Sequence, residues 1–205
     1  MAKNTVILFQ GDSITDCGRN YEVSEDLGQG YAMMAASLLA SSDSATNYTF
    51  YNRGISGHRA IDLKERWEED CLELNPDVVS IMIGINDCWR RFDSGDPTSA
   101  EDFESYYRAL LTPIKDKRLI LIEPFVLPHP EDRLAWREDL DPKIQVVRKL
   151  AREFNATFLP LDGLFAAKMT DQPPAFWAED GVHPTNAGHA FIATEWIKAY
   201  KKLGV

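Results

Sequence analysis

The chain has 205 residues, 44% of them hydrophobic, enough apolar mass for one sizeable core and a single domain spanning residues 1–205. With 32 acidic against 22 basic side chains and a formal net charge of -10, it excludes a surface built for nucleic acid or anionic membrane, since both reward clustered Lys and Arg, and it points to a neutral or weakly charged small-molecule substrate. No apolar run approaches membrane-spanning length, and Met1 to Asn4 leads straight into the first apolar run with no room for a secretion signal.

Thr5 to Phe9 is a short β-branched run read as a buried strand, and it delivers Gly11-Asp12-Ser13 to a tight turn at its carboxyl end. That is where open α/β sheets bind ligands. A polar loop from Gly18 to Gly30 precedes a helix over 31–40. Tyr48 to Asn52 is a second strand stopped at Gly54, and Ala60 to Leu72 carries Leu63, Trp67 and Cys71 among charges, an amphipathic helix ended by Pro76. Asp77 to Ile83 is nearly all apolar, as a central parallel strand covered on both faces should be, and it runs into Gly84-Ile85-Asn86-Asp87.

Arg90 to Thr98 reads as a polar loop, 100–114 as a helix and Leu119 to Ile122 as the fourth strand. The proline-rich stretch 124–141 reads as a flap over the rim of a site, because a long loop in a compact domain is usually functional. Pro142 opens a helix, Thr157 to Leu161 is a fifth strand, an irregular stretch follows to Thr185, and 186–202 is a closing amphipathic helix. Strands alternating with helices of this size imply parallel crossovers and a three-layer α/β/α sandwich around a five-stranded parallel sheet.

Taken alone, Gly-Asp-Ser is more often a turn cap than a catalytic element. A nucleophilic Ser13 needs a base to take its proton as the oxygen attacks. Of the four histidines, His58, His129, His183 and His189, only His183 has a carboxylate three residues earlier: Asp180 can reach back to the ring's Nδ1 hydrogen and turn Nε2 toward a serine. Asp-x-x-His alone is as consistent with an ordinary loop before a helix. For the charge that develops on an attacked carbonyl oxygen, the backbone N–H groups of Ser13 and Gly54 and the side-chain amide of Asn86 sit on three strand-end loops. Cys17, Cys71 and Cys88 neither pair off nor show metal-ligand spacing, so reduced thiols in a cytoplasmic setting are expected, with Cys17 and Cys88 as small apolar filler. His189 is read as structural.

Gly11-Asp12-Ser13, the segment Asn52 to Gly57, Gly84-Ile85-Asn86-Asp87 and Asp180-Gly181-Val182-His183-Pro184 together resemble, in order, the four motif blocks of the SGNH (GDSL) hydrolases, a match running over residues 7–189. The resemblance implies a flavodoxin-like sheet, Ser13 as nucleophile, His183 as base, Asp180 as its partner, an oxyanion hole of Ser13, Gly54 and Asn86, and no metal or organic cofactor. Residues 9–19, 66–70 and 80–90 look most like the intracellular bacterial acetylxylan esterases, which deacetylate short xylo-oligosaccharides and are commonly homo-oligomeric. Little of 128–139 fits that pattern. Trp89 and Trp177 are candidate sugar platforms, or else aromatics packing a core or a subunit contact, and Arg90 is a candidate hydroxyl donor. The reading is a carbohydrate deacetylase. Its alternatives are a lysophospholipase or acyl-thioesterase of the same superfamily and a non-catalytic sugar-binding protein; the charged flap, unlike a lipase's apolar lid, favours a small acyl group on a hydrophilic alcohol.

Overall fold

A computed structural model describes residues 3–204. Five parallel strands, β1 (Lys3–Gly11), β2 (Thr46–Asn52), β3 (Val78–Met82), β4 (Arg118–Ile122) and β5 (Thr157–Leu159), stand in the order β2-β1-β3-β4-β5. The helices between them are α1 (Ser13–Asp16), α2 (Tyr31–Ser42), α3 (Ala60–Glu65), α4 (Ile85–Asp93), α5 (Ala100–Leu111), α6 (Arg137–Glu153), α7 (Leu161–Lys168), α8 (Pro174–Trp177) and α9 (Asn186–Lys201).

Side chains alternate across a strand, so β1 feeds two cores at once. Ile7 and Phe9 pack with α2 and α9, where Trp196 lies 5.0 Å from the Phe9 ring; Leu8 packs on the opposite face with α3, α5 and the carboxyl half of α6. This is the expected three-layer sandwich around a five-stranded parallel sheet. The polarity of the sheet sends the loops after β1, β2 and β3 to one rim, because those three strands are adjacent and parallel. Among the described residues no helix is long and apolar enough to cross a membrane.

Several local expectations differ. The stretch 85–93 is a helix, α4, which takes in the strand-end motif and the first residues of the polar loop expected over 90–98; its first turn buries Ile85, Asn86, Asp87 and Cys88, while its last carries Arg90 and Arg91. The expected helix over 60–72 breaks after Glu65 into a π turn, Glu68–Leu72, around which the Arg66 guanidinium bonds Asp70 and the Arg53 carbonyl. Leu161 begins α7 instead of ending β5, since Pro160 cannot extend the strand's ladder. The helix placed at Pro142 starts five residues earlier, at Arg137, with Pro142 inside it. The first turns hold despite the lost N–H because Arg137 grips Asp162 through both terminal guanidinium nitrogens, at 2.6 and 2.9 Å, and buried Lys143 bonds Asp139 at 2.5 Å.

The stretch 124–141 is not a free flap. Phe125, Val126, Leu127 and Trp136 are buried in the core, so the apolar side chains tie the segment down between its polar ones.

Candidate active site

The turn after β1 is built by Asp12, whose carboxylate accepts the Ile14 N–H at 3.0 Å and caps α1. Ser13, the first residue of that short helix, is thereby held with its hydroxyl at the rim. Burial pushes the Asp12 carboxyl up to about 7.

The loop before α9 brings the imidazole. Asp180 Oδ1 accepts the N–H groups of Val182 and His183 at 2.9 and 2.7 Å, closing a tight turn, while Oδ2 accepts the His183 Nδ1–H at 2.6 Å. With its hydrogen on Nδ1, the ring presents the Nε2 lone pair to the Ser13 hydroxyl, 2.9 Å away. The expected Asp-His unit and serine therefore meet. Two outside contacts fix this turn: the Leu127 N–H donates to the Gly181 carbonyl at 2.8 Å, and Arg133 Nε donates to the Asp180 carbonyl at 3.1 Å. The stretch 124–136 is thus a buttress behind the imidazole loop.

The Asp180 carboxylate raises the His183 pKa above the ordinary imidazole value, chiefly through the ring hydrogen bond and against partial burial. At Asp180 itself burial acts upward but is outweighed by the hydrogen bonds from the His183 ring and from the two N–H groups, which hold the carboxyl well below the usual carboxylate range.

The donor cradle requires one correction. Gly54 does not face Ser13: its N–H donates to Asn52 Oδ1 at 2.9 Å, its carbonyl accepts Arg19 Nε at 2.8 Å, and a Cβ there would lie 2.3 Å from the Asp16 backbone nitrogen. Gly54 is a close-packing glycine whose donor is already spent. The chain runs three residues further before Gly57, at φ +84, turns its backbone to the cavity that holds Ser13. Neither the Ser13 nor the Gly57 N–H is spent on an acceptor among the described residues. Asn86, 4% exposed, lines the same cavity and uses one amide hydrogen on the His58 carbonyl at 3.0 Å. Its second hydrogen is available to the cavity.

The Gly57 loop is clamped on both sides. Asp16 Oδ2 accepts the Ser56 N–H and hydroxyl at 3.1 and 2.7 Å, and the Asp87 carboxylate accepts the Ala60 N–H at 3.1 Å. Asp16, Ser56, Gly57 and Asp87 were not singled out from the sequence as site residues. Asp87 was legible only as part of the Gly84-Ile85-Asn86-Asp87 motif, and neither the helix it sits in nor the loop it grips was.

The cavity, about 270 Å³, is also lined by Trp89, Arg90 and Asp93. Trp89 is half-buried, with its ring 5.8 Å from His183 and 5.1 Å from Trp136, and Arg133 lies over both indoles. Arg90 pairs with Asp93 at the mouth. Trp177 lies elsewhere: 8% exposed, it packs between Phe165, Phe176 and Phe191 in the core, so of the three expected substrate contacts only Trp89 and Arg90 reach the cavity. Cys17, expected as filler, places its Sγ 3.3 Å from His189 Nε2, while His189 Nδ1 accepts the Tyr31 N–H at 3.1 Å. Burial holds the His189 pKa down at about 4, so this imidazole is neutral and structural.

The model of the GDSL-like lipase/acylhydrolase family matches residues 9–191. The chain belongs to this family. Its relatives include an acetylxylan esterase from Geobacillus stearothermophilus, 37% identical over 202 residues, which cover 94% of this chain and 92% of that one. A crystal structure of the acetylxylan esterase from that organism superposes with a TM-score of 0.87 at 34% identity, over 100% of this chain and 97% of that one. Catalytic mutants of that enzyme have been solved with a serine and with an aspartate replaced by alanine. A GDSL-like lipase candidate from Parabacteroides merdae superposes with a TM-score of 0.92 at 39% identity, over 98% and 97% of the two chains. This member of the acylhydrolase family is a carboxylic ester hydrolase.

Proposed function

We propose that the chain is a carbohydrate acetylesterase that deacetylates xylo-oligosaccharides through an acyl-enzyme on Ser13. The observation that carries this reading is the unbroken line from Asp180 Oδ2 through the His183 ring to the Ser13 hydroxyl, with links of 2.6 and 2.9 Å.

As Ser13 Oγ bonds to the acetyl carbon, its proton passes to His183 Nε2, and Asp180 stabilises the imidazolium. The carbonyl oxygen becomes an oxyanion facing the N–H groups of Ser13 and Gly57 and the free amide hydrogen of Asn86. Collapse breaks the bond to the sugar oxygen, which leaves with the proton from Nε2. Water then attacks the acetyl-serine, giving its proton to the same nitrogen, and Ser13 recovers a proton as acetate departs. Every step uses side chains present in the chain.

Support for acetyl on sugar over a long acyl chain comes from the cavity, whose mouth carries an Arg–Asp pair rather than an apolar lid, and from the Geobacillus relative. The test is acetate release from acetylated xylo-oligosaccharides by the parent enzyme and by Ser13→Ala. Release by the parent alone is the expected result; equal release by both would overturn the reading.

A further inference from the structure

Two cavities meet at the His183 ring. The smaller holds Ser13, Gly57 and Asn86. The larger, about 580 Å³, lies on the ring's other flank, between the start of α2 and the start of α9, and its polar lining includes Gln29, Glu179 and Asn186. All three are exposed, and none of their side-chain polar groups bonds or pairs with a described residue. The Gln29 backbone is anchored at the groove, its N–H donating to the Cys17 carbonyl at 2.9 Å, and its carboxamide is unspent.

The chemistry proposed for Ser13 says which part of a substrate meets this groove. The carbonyl oxygen turns to Gly57 and Asn86, whereas the departing alcohol must take its proton from Nε2 and so leaves on the imidazole's side. We infer that the groove beyond His183 receives the acceptor sugars, and that Gln29, Glu179 and Asn186 select a neutral, hydroxyl-rich acceptor. This rests on the deacetylase reading above. Two carboxamides donate and accept, as sugar hydroxyls do, and a carboxylate accepts from a hydroxyl while repelling an anion. No Lys or Arg lines the groove to offset that repulsion, so a phosphate headgroup or a uronic acid meets negative charge without a counter-charge.

The test compares kcat/KM on three esters: acetylated neutral xylo-oligosaccharides, the same oligosaccharides bearing a glucuronic acid, and p-nitrophenyl acetate, whose leaving group has no sugar hydroxyls. In Gln29→Ala/Asn186→Ala the ratio of neutral glycan to p-nitrophenyl acetate should fall about tenfold, the loss expected for two neutral hydrogen bonds. In Glu179→Gln the ratio of uronate-bearing to neutral glycan should rise about threefold, the size of one partly exposed charge interaction. Both ratios staying within about twofold of the parent's, less than one such bond supplies, would overturn the inference. If the parent cleaves acetylated glycans through Ser13 and the ratios stay put, the groove alone is refuted. If the parent cleaves p-nitrophenyl acetate but no acetylated glycan, the deacetylase reading falls and takes the groove with it.

Discussion

Replacing Asp180 by Asn is the most informative single change, because the carboxylate does two jobs that an amide cannot do together. Oδ1 receives two backbone N–H groups and Oδ2 receives the ring Nδ1–H, three donors on one acceptor-only group. If the Asn oxygen keeps the two backbone bonds, its NH₂ faces Nδ1, and the ring must move its hydrogen to Nε2 to accept it. That tautomer has no lone pair for the Ser13 proton. If the amide flips, its NH₂ points at two N–H donors and the turn that carries His183 opens. Either way kcat should fall about 10³- to 10⁴-fold, the loss seen when a triad acid becomes an amide, equivalent to about 4 to 5.5 kcal/mol of transition-state stabilisation. The assay is steady-state hydrolysis of p-nitrophenyl acetate, with circular dichroism to confirm folding. A pH profile adds a second readout. Only neutral His183 can act as base, and Asp180 raises its pKa, so the acid limb of kcat/KM in the parent should lie above 6.5, the ordinary imidazole value. In the variant the residual activity should titrate lower. A folded Asp180→Asn enzyme within about tenfold of the parent, far short of a lost triad acid, would refute the reasoning.

Asn86→Ala should lower kcat about 10²- to 10³-fold with little change in KM, as for loss of one oxyanion donor, read in the same ester assay. Gly54→Ala should destabilise by about 1–3 kcal/mol in urea unfolding, since its Cβ would collide with backbone that cannot step aside. An effect on turnover with unchanged stability would return Gly54 to the donor cradle. Trp177→Ala should cost about 3–5 kcal/mol of stability, because the buried indole packs against Phe165, Phe176 and Phe191. A raised KM for acetylated glycan with unaltered unfolding would instead make it a substrate platform.

The sheet was legible because parallel strands buried on both faces read as apolar runs, as in Val78 to Met82 and Leu119 to Ile122. Ser13, Asp180 and His183 were legible because short spacings carry their geometry: a cap at the end of a strand, and a carboxylate one turn before an imidazole. The donor cradle was not, since the choice between Gly54 and Gly57 depends on bonds between distant residues. Asp16 holds Ser56 across 40 positions and Asn86 holds His58 across 28, and no local pattern announces either. Trp177 failed for a related reason: position beside a motif says nothing about which way an indole faces. α4 was hidden because its buried first turn coincides with a glycine-led motif that reads as a turn, and the start of α6 because Pro142 looks like a first residue when long-range ion pairs have already begun the helix.

The central claim is that Ser13 is the atom donor to the acyl-enzyme, and covalent labelling addresses it most directly. The protein should be treated with a fluorophosphonate, digested and analysed by mass spectrometry while esterase activity is followed in parallel. Stoichiometric phosphonylation of the peptide bearing Ser13, rising as activity is lost and absent from Ser13→Ala, is the expected result. An adduct on another residue, or full esterase activity in protein labelled at Ser13, would contradict the account.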